Sequence, residues 1–282
     1  LRDRGDWGRM RMTPTDLSDV NGHTYTYLLN GVAPAGNWTG LFRPGEKVLL
    51  RFVNGSAMTY FDVRIPGLKM TVVAADGQYI HPVSVDEFRI AVAETFDVLV
   101  EPAGQDAYTI FAQDNARTGH ARGTLAVREG LQAEVPRHDP RPLLTMDDMG
   151  HGGMGRMDHG AMGGGHDMSK MKGMEGGCGA NMGMAGMDHG AMQASAAAKP
   201  TPGDERLIDM RTMSTSAKLD DPGVGLRDNG RKVLAYSDLR SLFDDPDGRE
   251  PSREIELHLT GHMEKFAWSF DGQKFMGAEP IR

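Results

Sequence analysis

From about Thr24 to Arg128, apolar and polar positions alternate in short runs broken by turn residues, the pattern of an all-β domain built from short strands. Tyr25-Thr26-Tyr27-Leu28-Leu29 reads as a strand ended by Asn30-Gly31. After the turn Arg43-Pro44-Gly45-Glu46, the run Lys47 to Val53 places Val48, Leu50 and Phe52 on one face, because side chains alternate along extended backbone. Tyr60 to Ile65 stops at Pro66-Gly67, and Met70 to Ala75 runs into Asp76-Gly77, a dipeptide suited to left-handed turn positions. Further strands are expected at Phe88–Val92, Thr95–Val100, Ala107–Ala112 and Gly123–Val127. Many short strands with frequent turn signals indicate a sandwich or barrel.

The alternation fails at Pro136. His138-Asp139-Pro140-Arg141-Pro142 has linker character. Met146 to Met192 then holds twelve of the chain's twenty methionines and four of its ten histidines, with glycine in most of the gaps. Within it Met157-Asp158-His159-Gly160-Ala161-Met162 recurs as Met187-Asp188-His189-Gly190-Ala191-Met192. Ordering so much glycine costs backbone entropy, and the segment has almost nothing apolar to bury, so it is expected to be disordered without a ligand. Structure is expected to resume near Leu207: Glu254 to Leu259 alternates, with Ile255, Leu257 and Leu259 on one face, and Phe266–Phe270 with Lys274–Met276 flank Asp271-Gly272 as an expected hairpin. The division that follows is a leading linker over 1–20, a β domain over 21–135, a Met/His/Gly-rich linker over 136–205, and the opening part of a second β domain over 206–282.

The Met-rich stretch carries the distinctive chemistry. Thioether sulfur is soft, neutral and needs no deprotonation, and soft donors select Cu(I), while imidazole also suits copper. Each repeat offers two thioethers and one imidazole within six residues, on a backbone that can bring them together. The candidate ligands are Met154, Met157, His159, Met162, His166, Met168, Met171, Met174, Met182, Met184, Met187, His189 and Met192. A plain flexible linker would not need Met paired with His. A promiscuous apolar surface is the other use of Met. Asp158 and Asp188 are harder donors, better suited to Cu(II), and Cys178 is either a thiolate ligand or incidental. His23, His81, His120 and His138 are scattered, and loop or surface roles are expected of them; His258 and His262 are four apart near a strand, a spacing that converges only on a helix.

Composition excludes several classes. The net charge of -8, without a Lys/Arg run, gives no sign of a nucleic-acid partner. No apolar run approaches the roughly 20 residues of a membrane-spanning helix. A single cysteine excludes an internal disulfide framework. The chain opens at Leu1 with no leader pattern, and both ends are expected to be internal cuts.

Phe42-Arg43-Pro44-Gly45-Glu46-Lys47-Val48-Leu49-Leu50-Arg51-Phe52-Val53-Asn54-Gly55-Ser56, Gly67 to Tyr79 and Val85 to Ala91 resemble the middle cupredoxin domain of a three-domain multicopper oxidase. Asn37-Trp38-Thr39-Gly40, Ala57 to Gly67, Tyr108 to Gln113, the Met-Asp-His-Gly repeats and Pro251 to Gly261 resemble the members that serve bacterial copper resistance. The resemblance covers nearly the whole chain. It implies a cupredoxin-like Greek-key β-sandwich followed by a disordered Met/Gly-rich linker and a partial second cupredoxin-like domain. It further implies a periplasmic oxidase that converts Cu(I) to Cu(II), and to varying extents oxidises phenols, while reducing O2 to water at type 1 and trinuclear copper sites. Its partners would be copper ions and the flanking cupredoxin domains of the same parent chain.

The chain departs from that pattern where the resident coppers would bind. A trinuclear site needs His-x-His pairs, and no two histidines here are two apart. A type 1 site needs a Cys flanked by His, and Cys178 sits between Gly177 and Gly179. In such oxidases these ligands lie in the first domain and late in the third, so no catalytic ligand carries over to this chain, and Thr24–Arg128 is expected to be a spacer domain. The alternative is a non-enzymatic copper-binding or sequestering protein that uses only the Met-rich segment.

Overall fold

The computed structural model describes residues 17–18, 20–145, 148, 217–245, 247–262, 267–273 and 275–280. They fall into two compact units, one made of Leu1–Asp148 and Ala217–Glu254, the other of Met149–Ser216 and Ile255–Arg282.

The first unit is a sandwich of two sheets. Its strands are β1 (Trp38–Leu41), β2 (Val48–Val53), β3 (Phe61–Arg64), β4 (Met70–Ala75), β5 (Gln78–Val85), β6 (Glu87–Ile90), β7 (Thr95–Val100), β8 (Ala107–Asp114) and β9 (His120–Ala126). One sheet runs β1-β9-β8-β3-β6 and the other β2-β7-β4-β5. Only the β1–β9 pair is parallel. Burial alternates residue by residue along β4 and β7, as strands with one face on a core require. Val48, Leu50 and Phe52 do share the inward face of β2. Phe88 is fully buried and takes the rings of Phe52 and Phe96 edge-on, each with centroids 5.2 Å away. Asp76 and Gly77 form the turn between β4 and β5 with φ of 46° and 79°, the left-handed pair this dipeptide favours.

Two strands lack a clear sequence signal and one expected strand is absent. β5 reads poorly because Pro82 interrupts it. Proline is tolerated there because β5 edges its sheet and its register with β4 shifts between Val72 and Ala74. β1 is short and contains Gly40, which leaves room for the ring of Trp38. Tyr25 to Leu29 is not a strand. Leu29 bridges only to Val32 around Asn30-Gly31, and Tyr27 turns inward, edge-on to Phe61 at 4.9 Å, with its hydroxyl donating to Asp114 Oδ2 at 3.0 Å.

Residues 217–254, which the sequence assigns to the following domain, pack on the sandwich instead. They cover an open edge of each sheet. Beside β6, Leu234 N donates to Glu87 O (3.0 Å) and Asp86 N to Lys232 O (2.8 Å). Beside β5, His81 N donates to Arg240 O (2.9 Å) and Leu242 N to Tyr79 O (3.0 Å). Leu234 enters the same apolar core as Val63 and Phe88, and Leu226 is fully buried. Unpaired strand edges invite association with other chains, and this segment occupies both.

The second unit shows one hairpin among its described residues, β10 (Leu259–His262) against β11 (Ala267–Phe270). The turn at Asp271-Gly272 forms as expected, but a 3-10 turn at Phe275–Gly277 follows it, so β11 pairs with β10 and not with a later strand. Only Leu259 of the alternating run Glu254 to Leu259 is in a strand; Ile255, Leu257 and Leu259 are all exposed, with no second layer on them among the described residues of this unit.

If residues 217–254 belong to the sandwich, Leu234→Ala should cost roughly 2–5 kcal/mol in denaturant unfolding, the range for truncating a core Leu. Exposed Leu242→Ala should stay within about 0.5 kcal/mol. Equal effects would contradict the assignment.

Candidate functional site

Every ligand proposed in the Met-rich segment, from Met154 to Met192, lies outside the described residues, as does Cys178. The described residues instead show how the two flanks of that segment are fixed. The described residues before the candidate ligands, up to Thr145 and again at Asp148, and those of Ala217–Glu254 after them belong to the sandwich unit.

The flanks are held by charges set into the sheet. Glu87, at the start of β6, has no exposed surface. It accepts from Arg64 Nη1 (3.1 Å), Arg231 Nε (2.7 Å) and Asn229 Nδ2 (2.9 Å). Asp139 accepts from Arg64 Nη1 (2.9 Å), Gln113 Nε2 (2.7 Å) and Arg231 Nη2 (2.5 Å). Two guanidiniums and two carboxylates therefore neutralise one another where burial would penalise any one of them alone. Burial pushes the Asp139 carboxyl up, but the Gln113 hydrogen bond and the charges of Arg64 and Arg231 outweigh it and hold it below its usual range. A second cluster centres on Asp62, also fully buried, which accepts from Arg89 Nε (2.7 Å) and pairs with Arg117 Nη1 (2.6 Å). The same arginines donate to the carbonyls of Val224 (2.8 Å) and Gly225 (3.3 Å). Gly225 has φ 80°, and a Cβ there would stand 3.0 Å from Pro142, so the segments on either side of the Met-rich stretch touch each other. Closest to that stretch, Arg227 Nη2 donates to Asp148 Oδ1 (2.7 Å) and its Nε to Asp221 Oδ1 (2.8 Å).

Two of the histidines expected to be scattered come together. His120, the first residue of β9, and His138 lie with Nδ1 and Nε2 2.9 Å apart, and both rings pack on Phe111. Burial, with His138 and Arg122 nearby, pushes the His120 pKa below its usual value. His258 sits between Asp271 Oδ1 (3.0 Å) and Glu256 Oε1 (2.9 Å), a local arrangement beside the hairpin turn. Among the described residues no group of three or more His, Cys, Asp or Glu side chains could hold a metal ion. The donor set of a type 1 or trinuclear copper is thus not met among the described residues. No helix among the described residues is long and apolar enough to cross a membrane.

Sequence reasoning missed the charge clusters. Arg64, Glu87 and Asp62 interrupt otherwise apolar strands, and His138-Asp139-Pro140 has the composition of a free linker. The available signal was charge at inward-facing strand positions, which calls for a buried partner.

The sandwich is cupredoxin-like, and residues 4–130 match the family model described as Multicopper oxidase. Over its whole length the chain is related to copper resistance proteins. It is 64% identical to Copper resistance protein A of Escherichia coli, over 100% of this chain and 49% of that protein. It is 62% identical to Copper resistance protein A of Pseudomonas syringae pv. tomato, again over 100% of this chain and 49% of that protein. Multicopper oxidase MmcO of Mycobacterium tuberculosis is 33% identical over 42% of this chain and 23% of that protein. The chain spans about half the length of the curated copper resistance relatives it matches.

Two measurements check the clamp. Arg64→Met strips Glu87 and Asp139 of a shared buried partner and should cost about 3–5 kcal/mol of unfolding free energy; a loss no larger than that of a surface substitution would contradict it. Asp148 is held down to about 2 because hydrogen bonds from Arg227 and Thr145 outweigh the upward push of burial. A carboxylate with a depressed folded pKa adds stability above its unfolded value of 3.8, and that part is lost as pH falls toward about 2. The stability difference between the chain and Asp148→Asn should therefore shrink over that window; a difference independent of pH would contradict the ion pair.

Proposed function

We propose that this chain is the central portion of a copper-resistance multicopper oxidase that oxidises Cu(I), and phenols to varying extents, with O2 reduced to water in the periplasm. The observation that carries this reading is the identity above 60% to copper resistance proteins along the full chain. The sandwich acts as a spacer between flanking cupredoxin domains that supply the type 1 and trinuclear coppers. The Met-rich segment collects Cu(I) as substrate through its thioethers and imidazoles, led by Met157, His159, Met162, Met187, His189 and Met192. Anchoring both flanks of that segment on the sandwich keeps bound Cu(I) near the parent enzyme and raises its local concentration, as tethering does for any linked ligand. The isolated chain binds copper but does not turn over O2.

The test is an anaerobic Cu(I) titration against a competing chelator, beside a variant with Met157, Met162, Met187 and Met192 changed to Ser. Binding should weaken in the variant, and neither chain should consume oxygen with copper present. Equal binding would remove copper from the repeats, and copper-dependent oxygen uptake would contradict the spacer role. In the parent, deleting Met146–Met192 should raise the KM for Cu(I) and leave phenol oxidation intact; an unchanged KM would reject the collecting role.

A further inference from the structure

We propose that His120 and His138 form a second, surface metal site for a divalent transition ion, with Cu(II) the ion it binds most tightly. Nδ1 of His120 and Nε2 of His138 lie 2.9 Å apart. Two metal–nitrogen bonds of about 2.0 Å put their nitrogens about 2.8 Å apart at a right angle and about 3.3 Å apart at a tetrahedral one. The observed pair sits at the right-angled end, the arrangement of tetragonal Cu(II) with nitrogen and oxygen ligands, and Cu(II) heads the affinity order of divalent first-row ions.

The two imidazoles are 18 residues apart in sequence, and the fold brings them together through residues that serve both. Gln113 faces His120 across the β8–β9 ladder. It also donates from Nε2 to Asp139 Oδ2 (2.7 Å) and accepts from Asp139 N at Oε1 (3.0 Å), fixing the residue beside His138. Arg64 donates to the carbonyl of Arg137 on the other side (3.2 Å) and lies 4.9 Å from the centroid of Phe111, the ring on which both imidazoles pack. Outer groups that fix ring position are what a metal site needs beyond its ligands. Asp114 does not complete the ligand set, because its carboxylate already accepts from Tyr27, Thr118 and the Gly119 N–H. His138 is exposed, so the remaining coordination positions belong to water or to an incoming ligand. Such a site suits an exchangeable ion and not a resident cofactor. Its two ligands are not residues of the Met-rich segment, so it does not depend on copper binding there.

The same 2.9 Å is also that of a plain imidazole–imidazole hydrogen bond, and the experiment separates the two. Cu(II) is titrated into the full 282-residue chain carrying Gln at His151, His159, His166 and His189, which removes the imidazoles of the Met-rich segment. Electron paramagnetic resonance reads the nitrogen coupling. One equivalent coupled to two imidazole nitrogens is expected, and it should be lost in His138→Ala and in His120→Gln on the same background. The exposed position of His138 makes His138→Ala the variant whose melting temperature should not change, so it decides the matter if His120→Gln unfolds. Cu(I) binding to the thioethers should be the same in all of these chains. No Cu(II) bound at equimolar copper, or an equivalent retained in folded His138→Ala, would overturn the proposal whatever the Cu(I) titration shows.

Discussion

The carboxylate of Glu87 is the constraint around which the first unit is organised. A charge with no exposed surface is tolerated only with partners, and the three groups that hydrogen-bond it come from different places: Arg64 from the neighbouring strand, Arg231 and Asn229 from about 140 residues later in the sequence. The backbone follows the same route. The carbonyl of Glu87 accepts from Leu234, which places that side chain in the core, and the segment then runs on to cover β5. One buried acid thus ties the late segment to the sandwich, and through Arg64 and Arg231 it also ties Asp139.

That arrangement changes the meaning of the Met-rich stretch. A linker between two domains has one end on each. Here the described residues on both sides belong to one unit, joined by Arg227 to Asp148 and by the approach of Gly225 to Pro142. Along the chain path the repeats therefore lie between two stretches of the same unit.

Much of the sandwich was legible in the sequence because its core strands follow the period of two. β2, β4 and β7 are clean alternations, and Asp76-Gly77 is a turn whose conformation its residues dictate. What misled was local resemblance to another state. Tyr25 to Leu29 has strand composition but is fixed by one inward tyrosine, and β5 carries a proline that only an edge position permits. Residues 217–254 have little periodicity, so their membership of the sandwich rests on long-range ion pairs that no local pattern encodes. The same holds for His120 and His138, whose meeting depends on Gln113 and Arg64. The donor types of the repeats are readable from the side chains alone, since softness is a property of the side chain and not of the fold.

The fixing of both flanks depends on residues 217–254 being part of the sandwich. Native-state hydrogen exchange tests this directly, by comparing the amides of Leu234 and Leu242 with those of Val72 and Val98 in the core strands. Leu234 should exchange with protection close to that of the core, with Leu242 following at the β5 edge. Exchange of both at the rate of an unstructured peptide, with the core strands still protected, would contradict it.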